Sequence, residues 1–130
     1  MNQTHNTNFY EMLSAACRKN GKGTAVFNDK EKTTYHALKQ EVDAVAAYLQ
    51  NMGVKFGDKV ALAVSNSPEF ISAYFAVSAI GAVAVPMNTF LKNNEYAYIL
   101  NDCKARFMFA SAGLQKELKE IGRASCRERV

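Results

Sequence analysis

The sequence predicts an α/β fold, the N-terminal part of a doubly wound, mainly parallel sheet (βαβαβ) preceded by a helix and a small β-hairpin. Three observations carry this expectation. Segments at 60–64, 82–85 and 106–110 are short and almost wholly apolar, the pattern of strands covered on both faces. Helical signals fill the intervals between them, and strands alternating with helices specify parallel pairing through right-handed crossovers. Turn chemistry at Gly53, Gly57, Gly81 and Pro86 separates the elements.

The elements follow in order. Asn8 and Glu11 form a capping box, and Phe9, Leu13, Ala16 and Cys17 continue at helical spacing until Gly21 and Gly23. Segments 24–27 and 32–35 flank Asn28-Asp29-Lys30-Glu31 as a hairpin. A second helix is capped near Thr34, its apolar face carried by Leu38, Val42, Val45, Ala46 and Leu49, with Gly53 supplying a left-handed end. Lys55-Phe56-Gly57-Asp58 is a turn in which Asp58 suits Asx-type bonding. Ser67-Pro68-Glu69 starts the next helix with an N-cap hydroxyl, Pro at N1 and an acid in the first turn. That helix runs over 70–80. Asn93 or Asn94 is expected to cap another through about Leu100.

The 130 residues, 48% hydrophobic and 22% charged, exclude a wholly disordered chain. The net charge of +4 shows no Lys/Arg stripe of a nucleic-acid binder. Cys17, Cys103 and Cys126 share no metal or redox spacing, which with the polar, signal-free N-terminus predicts a reducing, cytoplasmic setting. From Phe70 to Leu91 no residue is charged, so length alone suggests a membrane span. Gly81, Pro86 and the interspersed polar residues instead favour a buried helix, turn and strand, leaving only peripheral membrane contact open.

Local motifs carry little chemistry. Gly21-Lys22-Gly23-Thr24 precedes a strand instead of opening a helix, so its amides would not converge on an anion. Gly53 through Lys59 falls short of a phosphate-loop spacing. His36 is expected on the solvated side of its helix, with no Cys or carboxylate at ligand spacing to it or to His5. Cys17 and Cys103 read as core or subsurface residues. No catalytic, cofactor-binding or metal residue is assigned within these 130 positions.

Three strings in order are more specific: Thr33-Thr34-Tyr35-His36-Ala37-Leu38, Gly57-Asp58-Lys59-Val60-Ala61-Leu62 with Asn66-Ser67-Pro68-Glu69-Phe70, and Ala79-Ile80-Gly81-Ala82-Val83-Ala84-Val85-Pro86-Met87-Asn88. Together they resemble the N-terminal portion of the adenylate-forming (AMP-binding) superfamily, over about 9–118. The resemblance implies a fragment of an acyl-CoA synthetase, a long-chain-fatty-acid–CoA ligase. Its full-length form would use ATP, Mg2+ and CoA on a fatty acid. The phosphate loop, the ribose- and magnesium-binding acids and the hinge lysine would lie further along, leaving this piece inactive. It also implies that Asn88, Thr89 and Phe90 approach the CoA path, with loop or interdomain packing as the alternative. A carrier-protein pantetheine acceptor and a free-standing flavodoxin-like binding module stay open.

Residues 120–130 break the style of the chain, with three Arg and no hydrophobic period. They resemble translated sequencing adapter, the alternative being a short basic tail. The expected organisation is therefore 1–119 as an incomplete adenylation domain and 120–130 as a non-native tail packed on nothing.

Overall fold

The computed structural model describes residues 8–114 and 128–129. Helix α1 (Phe9–Asn20) leads into an antiparallel hairpin of β1 (Thr24–Asn28) and β2 (Glu31–Thr34), followed directly by α2 (Tyr35–Asn51). Strand β3 (Lys59–Ala63), α3 (Pro68–Ala79), β4 (Val83–Pro86), α4 (Asn93–Cys103) and β5 (Phe107–Ala110) form the βαβαβ unit, and Glu128–Arg129 is a two-residue β6. The sheet order is β4-β3-β5-β6, with every pair parallel. The hairpin turn is tighter than expected, because Asp29 adopts a left-handed φ of 53° and lets Glu31 pair with Asn28.

Alternation along the strands divides the core. Val60, Leu62 and Phe107 face α1, α2 and α3, where Leu38, Val42, Leu49, Ala76 and Val77 close over them. Ala61, Ala63, Met108 and Ala110 face the opposite side and pack with Tyr96 and Leu100 of α4. Phe9 ties α1 to α3 through ring contacts with Tyr74 and Phe75, at centroid distances of 5.5 and 6.4 Å. Phe70 to Ile80 is mostly helix, a left-handed Gly81 follows it, and among the described residues no helix is long and apolar enough to cross a membrane.

Helices feed strands through one recurring device. At the end of α2, Gly53 has φ +95°, its N–H donates to the Gln50 carbonyl and that of Val54 to Leu49, both at 3.0 Å. At the end of α3, Gly81 has φ +72°, and the N–H groups of Gly81 and Ala82 donate to Ser78 and Val77 at 3.1 Å. Both are paired six-to-one and five-to-two closures that satisfy orphan carbonyls and reverse the chain. Helix α4 ends with Lys104 at φ +55°, where the side chain makes the same conformation costly. Its cap lies before both expected positions, Asn93 and Asn94: Lys92 is the N-cap, and its N–H donates to the Glu95 carboxylate at 2.7 Å. Asp58 fulfils its turn role by accepting from the Lys55 N–H at 2.8 Å.

The expected freedom of residues 120–130 is corrected at Glu128–Arg129, which lie opposite Phe107 and Met108 of β5. The physical reason is that the outer edge of β5 offers backbone donors and acceptors to any extended segment, whatever its side chains. Ile121 and Val130 fall outside the described residues.

A polar clamp fastens α1 to α2. Tyr10 Oη donates to Asp43 at 2.6 Å, and Lys39 Nζ donates to Asp43 at 2.9 Å and to Tyr10 Oη at 3.1 Å. Burial alone would raise the Asp43 pKa, but the hydrogen bonds from Tyr10 and Lys39 outweigh it and hold the carboxyl below its ordinary value. Hydrogen bonding to Asp43 and then Tyr10 raises Lys39 above its ordinary value, against burial.

Two outcomes follow for stability. Lys104→Gly should raise the unfolding free energy by up to about 1 kcal/mol by removing left-handed strain, whereas Gly81→Ala should lower it by about 1–2 kcal/mol; thermal unfolding reads both. A depressed Asp43 stabilises the fold fully above its unfolded-state pKa and loses that contribution as pH falls through the folded value. The raised Lys39 contributes fully below its unfolded-state value and loses its share as pH rises through the folded one. Between about pH 5 and pH 3, Asp43→Asn should therefore flatten the acid loss of stability, by less than about 1 kcal/mol because the pair is half exposed.

Candidate functional site

Open parallel sheets place ligands at the carboxyl ends of their strands. Here that end carries the loop after β3 (Val64, Ser65, Asn66), the loop after β4 (Met87 to Leu91) and the short 3-10 turn Ala112–Leu114 after β5. These segments enclose a cavity of about 960 Å³ lined by Val64, Ser65, Asn66, Phe70, Pro86 to Phe90, Ser111, Gly113 and Leu114. Ser65 and Ser111 tie two of the loops together, with the Ser65 N–H donating to Ser111 Oγ at 3.2 Å. On the α2 side of that pair lies a second cavity of about 520 Å³, floored by Val45, Ala73, Phe109 and Ala110 and rimmed by Glu41 and Glu69.

The structure brings Asn88, Thr89 and Phe90 to the larger cavity, as the β4 topology requires. Their loop is fixed by three bonds. The Met87 N–H continues the sheet ladder to the Leu62 carbonyl at 2.9 Å, Asn88 Oδ1 accepts from the Phe90 N–H at 2.9 Å, and Tyr96 Oη donates to the Asn88 carbonyl at 2.8 Å. Tyr96 is fully buried, so the α4 core holds the loop from below while the Phe90 ring stands 91% exposed. Sequence reading missed Tyr96 and Ser111. Nothing in their local spacing marks them, since each acts across the sheet on a loop distant in sequence.

Chemically, the site is a neutral surface of hydroxyls, amides and backbone groups. Among the described residues no Lys, Arg or His lines either cavity, and the charged groups at the smaller one are the carboxylates Glu41 and Glu69. Among the described residues no group of three or more His, Cys, Asp or Glu is arranged to hold a metal. The larger cavity offers hydroxyls and amides but, among the described residues, no carboxylate, so it does not fit magnesium, and no metal-dependent step is assigned to its residues.

Away from the site, His36 is exposed as expected, but Cys17 is also its neighbour, with Sγ 3.2 Å from Nδ1. The two residues are far apart in sequence, at no ligand spacing, and meet only because α1 packs beside α2.

Residues 13–129 match the family model described as AMP-binding enzyme. Over 88 residues the chain is 40% identical to the crotonobetaine/carnitine–CoA ligase of Escherichia coli O139:H28, covering 68% of this chain and 17% of that protein. The chain thus spans about a sixth of the length of such curated relatives. Among solved structures, an anthranilate CoA ligase in complex with anthranoyl-AMP superposes with a TM-score of 0.84 at 31% identity, covering 88% of this chain and 22% of the other. A Mycobacterium tuberculosis fatty acyl CoA synthetase superposes at 0.84 and 29% identity, covering 91% and 24%.

Tyr96→Phe should leave the fold intact and cost about 1 kcal/mol through the lost bond to the Asn88 carbonyl. Amide exchange should quicken at Met87 to Leu91 and stay unchanged in the hairpin; unchanged exchange at 87–91 would show that the loop is held without Tyr96.

Proposed function

Because this chain belongs to the AMP-binding enzyme family, we propose that it is the N-terminal portion of an ATP-dependent acid:CoA ligase acting in the cytoplasm on fatty acids. In that reaction the carboxylate displaces pyrophosphate from ATP to give an acyl-adenylate. The CoA thiol then attacks the acyl carbon, losing its proton as AMP leaves. Magnesium would be held elsewhere in the parent protein, because the donor set described here does not fit it.

The family match across 13–129 is the single observation that carries the reading. CoA as the acceptor is supported by relatives named as CoA ligases, in preference to a carrier-protein arm. A fatty acid is supported by the likeness to a fatty acyl CoA synthetase, alongside relatives named for carnitine and anthranilate. For Asn88, Thr89 and Phe90 we propose contact with the CoA path, supported by their place at the carboxyl end of β4 and the exposure of Phe90. Residues 1–119 are read as part of the adenylation domain and 120–130 as an appended tail, supported by the tail's Arg-rich, aperiodic composition. The uninterrupted genomic reading frame tests that division.

The parent protein should show fatty-acid-dependent exchange of pyrophosphate into ATP and CoA-dependent release of AMP. The 130-residue chain by itself should show neither above background. Exchange with aromatic or betaine acids only would replace the fatty-acid assignment, and magnesium-dependent exchange by the isolated chain would overturn its reading as an inactive portion.

A further inference from the structure

We propose that the β1–β2 hairpin and the adjoining end of α1 form a docking surface for an anionic lipid bilayer. Phe27 is 64% exposed on β1 and lies directly across the pair from Lys32, whose Nζ sits 6.0 Å from the ring centroid. Paired positions in an antiparallel ladder share one face, so the aromatic ring and the ammonium project together. Lys30 occupies the turn, and Arg18, Lys19 and Lys22 are exposed at the end of α1 and just beyond it. Asp29 and Glu31 are the acids between positions 18 and 32, so cations are in surplus. None of the five cations enters an ion pair among the described residues.

An apolar ring flanked by basic side chains matches an interface of negative headgroups over hydrocarbon. Charge complementarity selects that occupant over a neutral apolar partner, which would leave the cations desolvated and unpaired. The placement is also apt. Val26, Phe27 and Asn28 share a groove with Asn66, Phe70 and Ile71, and Asn66 and Phe70 also line the 960 Å³ cavity. Docking through the hairpin would bring the mouth of that cavity toward the lipid surface. The surface would act whatever reaction the parent protein performs.

The chain contains no Trp, so a single substitution supplies a clean reporter. The full chain carrying Phe27→Trp is titrated with vesicles of phosphatidylcholine alone and with one-quarter phosphatidylglycerol. The control carries Phe56→Trp, an exposed site beside the far end of α3, about 18 Å along that helix. Emission at position 27 should shift to the blue with anionic vesicles only, reverse with added salt and leave position 56 unmoved. Each of Lys30→Gln and Lys32→Gln should weaken partition about fivefold, and Lys55→Gln less than about twofold. No shift at position 27, equal shifts at 27 and 56, equal binding to neutral vesicles, or an equal loss in Lys55→Gln would each overturn the proposal, as would stronger capture by a duplex oligonucleotide.

Discussion

The burial of residues 60–63 of β3 is the constraint on which the rest of the structure depends. Val60, Ala61, Leu62 and Ala63 have no exposed surface. Their backbone groups therefore need partners on both edges, and their side chains need cover on both faces. β4 and β5 supply the edges. α1, α2 and α3 cover the larger Val60–Leu62 face, and α4 covers the small Ala61–Ala63 face. Small residues on the second face leave room there for a tyrosine, Tyr96, to be wholly enclosed.

That arrangement also makes the candidate site. Parallel strands must all finish at the same end, so the three loops leaving β3, β4 and β5 converge without any sequence signal asking them to. The tight helix endings at Gly53 and Gly81 lie at the opposite end, where they deliver chain into β3 and β4. Closure at one end leaves the loops at the other to define a cavity. Among the described residues that line it, the larger cavity carries no charged side chain.

Two polar contacts show how α1 is specified. Tyr10, Lys39 and Asp43 cross between α1 and α2, and Cys17 meets His36 along the same junction. The half-exposed Lys39–Asp43 pair contributes little individually. The geometry of these contacts nevertheless favours one rotation of α1 over others that would bury Leu13 equally well, while the Phe9 contacts with Tyr74 and Phe75 set its position along α3.

Sequence alone determined the element order, the parallel character of the sheet, the apolar face of α2 and the left-handed ending at Gly53, because each depends on spacing or backbone preference within a few residues. Caps at Asn8, Thr34 and Ser67 were legible for the same reason, and each accepts the N–H bond expected of it. The cap of α4 fell on Lys92 and not on Asn93 or Asn94 because the Glu95 carboxylate accepts the Lys92 N–H, a choice that the neighbouring asparagines obscured. The tertiary structure alone decided that Tyr96 would hold the Asn88 loop, that Ser65 would meet Ser111, and that the edge of β5 would accept Glu128–Arg129. Those contacts join residues distant in the chain, and their partners are chosen by which surfaces remain unsatisfied once β3 is enclosed.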